Sequence, residues 1–243
     1  MYIRNMRVAG IFHSKLRSIF YRVNRTPSHG NAGPYFALNL LDQKIEKYLP
    51  QRDLTFIELG ANDGISQSNT LYFELNKGWT GVLVEPSLDN YEKLVKNRSE
   101  KNIYSNSACV GFEYQKDSVE LIYSNLMTAP IVGTSDLVDP LTHAKSGEKF
   151  WGGKSYLFEA PARTLSSILD ENKFTRDVDL LSLDVEGGEI EVLRGIDHTK
   201  YRFQFILVES RDFPRIKIFL ESQNYKFVES MSDHDYLFKN TSR

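Results

Sequence analysis

Four strand-like runs in this 243-residue chain end on acids, and its capacity for chemistry is concentrated at those ends. FIELGANDG reaches Glu58 and continues through Gly60, Asn62, Asp63 and Gly64. VLVEP reaches Glu85, LLSLDVEGGE reaches Asp184 with Glu186 close behind, and FILVES reaches Glu209. An acid at a strand end can attract a cation. A glycine turn directly after it lets a ligand approach backbone N–H groups that suit a carboxylate. Glu58 and the turn that follows therefore suit a ligand carrying both an ammonium and a carboxylate, and Glu85 suits the two hydroxyls of a ribose.

The glycine spacing narrows the ligand further. Asn62 and Ile65 occupy the second and third glycine positions of the G-x-G-x-x-G dinucleotide fingerprint, and no G-K-[ST] follows to cradle phosphates. A nucleoside with an amino-acid end and no pyrophosphate fits both anchors, and S-adenosylmethionine is such a molecule.

The second pair of strand ends suggests acceptor chemistry. Asp184 and Glu209 lie on runs expected to be neighbouring strands, roughly 4.8 Å apart. Converging carboxylates can hold an octahedral cation such as Mg2+, which lowers the pKa of a bound hydroxyl; Asp212 is the candidate third ligand. His234, in MSDHDYLF before the last strand, is the general-base candidate that needs no metal. Metal-assisted and general-base activation both stay open, and Glu186 and Glu189 read equally well as first-turn acids of a helix.

Positioning these ends takes a particular set of elements. A helical pattern, Tyr35 to Tyr48, is stopped by Pro50, and from Leu54 strands and helices alternate: FIEL, SNTLYFELN, GVLVEP, SLDNYEKLVKNR, then NIYSNSACVG as a third strand. Such alternation implies a parallel sheet. Further strands are predicted at Ser118–Ser124, Tyr156–Ala160, Val178–Leu183 and Gln204–Val208, and helices at Glu189–Arg194, Pro214–Gln223 and LSSILDEN, the last capped by Thr164. YKFVES and DYLFKN form a closing hairpin around Met231 to Asp233. Tyr72, Phe73, Trp79 and Tyr91 fall within these patterns as core residues. Residues 126–154, rich in glycine and proline, read as an irregular substrate-covering loop in which Phe150 and Trp151 can stack on a sugar or other ring.

Composition sets the outer limits. A net charge of -2 with 26% charged residues leaves no global basic field for nucleic acid. The single Cys109 builds no disulfide framework, which fits a reducing cytoplasm. Residues 1–34 form a basic arm without an acid, amphipathic at helical spacing and too short in apolar run to span a bilayer. Such a helix can lie on the inner face of an anionic membrane, or dock on the protein's own core or on a second subunit. Residues 35–243 then form one catalytic domain.

FIELGANDGISQSNTLYFE, GVLVEPS, ARTLSSIL, DVDLLSLDVEGGEIEVLRGI and FILVES together resemble the FkbM family of S-adenosylmethionine-dependent methyltransferases. The resemblance implies an α/β class I methyltransferase fold, a Rossmann-like three-layer sandwich around a mostly parallel seven-stranded sheet whose last strand is antiparallel. Carried over by position, Glu58, Gly60, Asn62, Asp63 and Gly64 would line the methionyl end, Glu85 the ribose, and Ser107 and Ala108 the adenine. It further implies O-methylation of a hydroxyl, with a sugar or glycoconjugate as acceptor. Two alternatives remain: a lipid, polyketide or other small-molecule acceptor at a membrane surface, and a nucleoside-binding module without turnover.

Overall fold

The computed structural model describes residues 34–131, 139–151 and 153–242, so the predicted basic arm lies outside the described residues except for Pro34. A 3-10 turn (Leu38–Leu40) leads into α1 (Leu41–Glu46), followed by β1 (Thr55–Leu59), α2 (Leu71–Lys77), β2 (Thr80–Val84), α3 (Leu88–Asn97) and β3 (Ile103–Ser105). The middle of the chain holds β4 (Ala108–Cys109), β5 (Ser118–Tyr123), a 3-10 turn (Asn125–Met127), β6 (Ala129–Pro130), α4 (Pro140–Trp151), β7 (Tyr156–Arg163) and α5 (Leu165–Glu171). Then come β8 (Asp177–Leu183), α6 (Glu189–Arg194), β9 (Arg202–Glu209), α7 (Phe213–Ser222), β10 (Tyr225–Ser230) and β11 (Asp235–Asn240).

Seven strands form the main sheet in the order β10-β11-β9-β8-β1-β2-β3. The β2–β3, β1–β2, β1–β8 and β8–β9 pairs are parallel, whereas β11 is antiparallel to both neighbours, so the closing hairpin and the reversed last strand are as the sequence predicts. Period-two alternation divides each central strand between two cores. Ile57, Leu59, Val82 and Val84 pack with residues of α5, α6 and α7, while Phe56 and Leu83 pack with α1, α2 and α3. Both faces are covered, which is why these strands read as nearly continuous apolar runs. Tyr72, Phe73 and Trp79 are buried and Tyr91 packs against their cluster, with Phe73 and Trp79 stacked at 4.2 Å between ring centroids.

Two predicted elements differ. NIYSNSACVG is not one strand: the Asn106 side-chain amide donates to the carbonyls of Glu85 and Pro86 at 2.9 and 3.0 Å and turns the chain after Ser105. Ala108–Cys109 then pairs with Ala162–Arg163 of β7, in a separate four-stranded sheet ordered β4-β7-β5-β6. The second is the predicted irregular loop, which contains α4. Asp139 caps that helix by accepting from the Leu141 and Thr142 amides, and Pro140 opens it, where a missing N–H costs nothing. Gly147 is no breaker; it lets α4 lie against Ser124, whose Oγ would stand 2.1 Å from a Cβ. Among the described residues no helix is long and apolar enough to cross a membrane.

Candidate active site

The ends of β1, β2 and β8 meet at one edge of the main sheet, on either side of the point where strand order reverses, the place where open α/β sheets bind ligands. A cavity of about 410 Å3 opens there, within the range of small-molecule sites. Gly60, Asn62, Glu85, Ser107, Ala108, Asp184 and Glu186 line it. Gly60 makes the convergence possible: its φ is +79°, and a Cβ would lie 1.8 Å from the Asp184 carbonyl oxygen. No other residue lets the turn after β1 approach the end of β8 so closely.

Glu85 is buried, and its carboxylate accepts from the Asn62 amide at 2.8 Å and the Ser87 amide at 2.9 Å. Glu85 lines the cavity, and each of its oxygens has accepting capacity left beyond these bonds, enough for two vicinal hydroxyls. Burial, with Asp63 adding to it, pushes Glu85 up to about 7. A carboxyl raised above its unfolded value stabilises the fold fully below that value and loses this contribution as pH rises through about 7. Stability of the ligand-free protein in urea is therefore expected to fall between pH 5 and pH 8, and Glu85→Gln, which cannot lose a proton but leaves one of the two amides without its acceptor, is expected to reduce that fall while costing some stability at pH 4. The same substitution should weaken S-adenosylhomocysteine binding about tenfold in calorimetry.

The structure does not bring Glu58, Asp63 or Gly64 to the cavity wall. Glu58 is buried on the opposite side of its strand, pairs with Arg98 at 3.2 Å, and accepts from the Ser68 hydroxyl at 3.0 Å and the Asn69 amide at 2.9 Å. Asp63 closes its own turn on the Ile65 and Ser66 amides at 2.9 and 2.7 Å. Gly64, with φ +79°, packs on Leu94 and Arg98, where a Cβ would meet side-chain carbons at 2.7 and 2.8 Å. These three residues shape the turn whose Gly60 and Asn62 face the cavity.

Asp184, Glu186 and Glu209 each present a carboxylate oxygen within 4.8 Å of the other two. Desolvation is the largest cause of the shifts at Asp184 and Glu209. With the neighbouring acids it holds Asp184 well above the usual carboxylate range and pushes Glu209 up to about 7, and the two side chains share a hydrogen bond. Arg211 pairs with Glu186 at 3.1 Å and with Glu209 at 3.7 Å. Glu186 itself has φ +51°, a left-handed conformation that costs about 1–2 kcal/mol and is held because buried Glu189 accepts from the Val185 and Gly187 amides at 3.1 Å.

Two further residues predicted for the acceptor chemistry are not in this cluster. Asp212 is not in it: the Asp212 carboxylate caps α7 by accepting from the Arg215 amide at 3.1 Å, and Glu186 takes the third place instead. His234 is exposed in the β10–β11 turn and does not line the cavity; its carbonyl accepts from the Ser210 amide at 2.9 Å. The histidine brought to the acids is His143 of α4, with Nε2 3.0 Å from a Glu186 oxygen. The glycines and prolines of residues 126–154 hide this helix in the sequence, although Asp139-Pro140 is a helix-start signature that points to it. Phe150 stands exposed on α4, and the Trp151 side chain lies outside the described residues.

No curated protein matches the chain. Solved structures with a related chain path include TrmK of M. capricolum in complex with S-adenosyl-homocysteine, at 12% identity and TM-score 0.41, covering 82% of this chain and 65% of that one. A TehB-like SAM-dependent methyltransferase from Corynebacterium glutamicum has 11% identity, TM-score 0.43 and coverages of 94% and 98%. The precorrin-6y C5,15-methyltransferase of Geobacter metallireducens has 9% identity, TM-score 0.41 and coverages of 82% and 86%. At such values the sheet order, not the likeness, carries the fold. The methyltransferase FkbM domain model matches residues 58–238, from the buried acid of β1 into β11 and across the whole cavity. The chain belongs to the FkbM family of S-adenosylmethionine-dependent methyltransferases.

Proposed function

We propose that the chain transfers the methyl group of S-adenosylmethionine to a hydroxyl of a sugar or glycoconjugate. The observation that carries this reading is the group of converging carboxylates, Asp184, Glu186 and Glu209, beside a cavity whose other wall presents Glu85 and the Gly60 turn. Methyl transfer from a sulfonium is an in-line displacement: the acceptor oxygen forms the new C–O bond as the C–S bond breaks, and S-adenosylhomocysteine leaves. Most of the catalysis is positioning. The acceptor's proton needs a base, and the Asp184–Glu209 pair, with Glu209 near neutrality, is matched to that task. The acids and the Arg211 guanidinium together offer acceptors and donors for neighbouring hydroxyls, which supports a polyol over an isolated alcohol.

A second reading rests on the same three acids. An all-oxygen donor set suits Mg2+, which Asp184, Glu186 and Glu209 would hold, and which would lower the pKa of a bound hydroxyl. Both readings are tested by following labelled methyl from S-adenosylmethionine onto a panel of monosaccharides, glycosides, lipid alcohols, polyketide alcohols, amines and thiols, with and without EDTA. Transfer to sugar hydroxyls that persists in EDTA supports the carboxylate pair as base. Loss in EDTA and recovery with Mg2+ supports the cation. Label on nitrogen or sulfur alone overturns the hydroxyl reading, and label on lipid or polyketide alcohols alone overturns the sugar.

A further inference from the structure

The cavity has two walls of different origin. One is the edge of the main sheet, with Leu59, Gly60, Val84 and Glu85. The other belongs to the small inserted sheet, where alternate positions of β5 send Val119 and Leu121 inward and Leu126 and Pro130 continue the apolar surface. An apolar wall excludes water but cannot orient a charged ligand. Of the polar residues lining that side, Glu113, Tyr114, Asn125 and Thr128, the one bonded to the turn after β1 is Asn125.

Asn125 opens the 3-10 turn at φ +57°, and Asn62, on the other wall, sits at φ +48°. Both line the cavity, and the Asn62 Nδ2 donates to the Asn125 Oδ1 at 3.5 Å, the outer limit of a hydrogen bond. A contact that long gives way readily to a ligand atom bonded to both amides. The backbones beneath are fixed. The Asn62 amide is bonded to Glu85, the Asn125 carbonyl accepts from the Thr128 hydroxyl at 2.7 Å, and Ser124 donates to the Ala144 carbonyl of α4 at 2.7 Å. Two side-chain amides are thus held ready across one gap.

The geometry points to Asn125 as a binding residue for the methionyl end of the cofactor, closing on it from the inserted sheet opposite Asn62. An amide has both donor and acceptor, the pair that an α-ammonium and α-carboxylate together require. Asn62 directly follows the Gly60 turn, so a group bridging the two asparagines lies there and not at Ser107–Ala108. With Glu58 committed to Arg98, Asn125 supplies polar recognition at this end that Glu58 does not. The inference rests on the cofactor reading above.

The test compares S-adenosylhomocysteine with adenosine, which lacks the methionyl part, by titration calorimetry. Asn125→Gly removes the amide yet keeps a residue at ease in the left-handed region. It should lower S-adenosylhomocysteine affinity at least about tenfold and leave adenosine affinity unchanged. Asn125→Asp keeps shape and backbone tolerance, loses the N–H donor for the cofactor carboxylate and keeps an acceptor for the ammonium, and should change S-adenosylhomocysteine affinity while sparing adenosine. Unchanged S-adenosylhomocysteine affinity in both variants overturns the assignment. Equal losses for both ligands overturn it too, because Asn125 would then support the wall as a whole. Wild-type protein that binds neither ligand marks failure of the cofactor reading itself.

Discussion

Asp184→Asn is expected to lower methyl transfer by about 10^2–10^4-fold while S-adenosylhomocysteine still binds as in the wild type. The substitution keeps the shape of the side chain and removes its capacity to take a proton. It also relieves a like-charge site: desolvation, then Glu209, Glu186 and further acids hold the Asp184 carboxyl well above its ordinary range, so the ionised form is disfavoured in the fold. The variant should accordingly be more stable than the wild type in urea at pH 8, and no less stable at pH 3, where an unperturbed carboxylate would also be mostly protonated. A single substitution that inactivates and stabilises together separates a catalytic acid from a packing residue. The pH profile supplies a second check. With Glu209 pushed up to about 7, wild-type turnover should rise through that pH as the pair loses its shared proton. Turnover that is flat from pH 6 to pH 8, or an Asp184→Asn protein that turns over normally, contradicts the assignment.

Arg98→Met is expected to cost about 3–5 kcal/mol, a large fraction of the total stability of a domain. Arg98 is buried in the gap between α3 and the turn after β1. Its guanidinium meets Glu74 at 2.8 Å, Glu58 at 3.2 Å, the Thr70 hydroxyl at 2.9 Å and the Gly64 carbonyl at 3.3 Å. Methionine fills much of the volume and leaves two carboxylates buried without their cation. The penalty comes from those stranded charges, so adding Glu58→Gln and Glu74→Gln to Arg98→Met should recover much of the loss. By contrast Lys96 and Glu92 stand 3.8 Å apart in solvent, and Lys96→Ala should change stability by less than about 0.5 kcal/mol. Urea midpoints measure all three. Because Arg98 also ties down the Gly64 carbonyl, the turn that presents Gly60 and Asn62 should loosen, and cofactor affinity should fall with stability.

The sequence makes the scaffold legible wherever a local signal has a local cause. Apolar runs ending in acids are the central strands, Thr164 accepts from the Ser167 amide at 3.1 Å as its cap position predicts, and the hairpin closes where the alternation turns. What escapes notice depends on partners distant in the chain. Glu58 and Glu85 are both acids at strand ends, and nothing within their own segments says that one meets Arg98 and the other faces a cavity. NIYSNSACVG reads as one strand, and the break comes from Asn106 bonding to the carbonyls of Glu85 and Pro86, just after β2. Gly147 looks like a breaker until Ser124 lies against it. With residues 126–154 read as loop, nothing places His143 beside the acids, whereas His234 stands at the turn before the last strand, where the edge of the sheet could bring it to the acceptor.

The central claim is that this cavity binds S-adenosylmethionine, and titration calorimetry of the wild-type protein with S-adenosylhomocysteine, NADH as comparison, tests it most directly. Saturable one-to-one binding of S-adenosylhomocysteine without NADH binding is the predicted result. A parallel gain in folding stability of about 2.7 kcal/mol is predicted at roughly 100 times the dissociation constant. NADH binding alone, or no binding of either, would contradict the reading of Gly60, Asn62 and Glu85 on which the account stands.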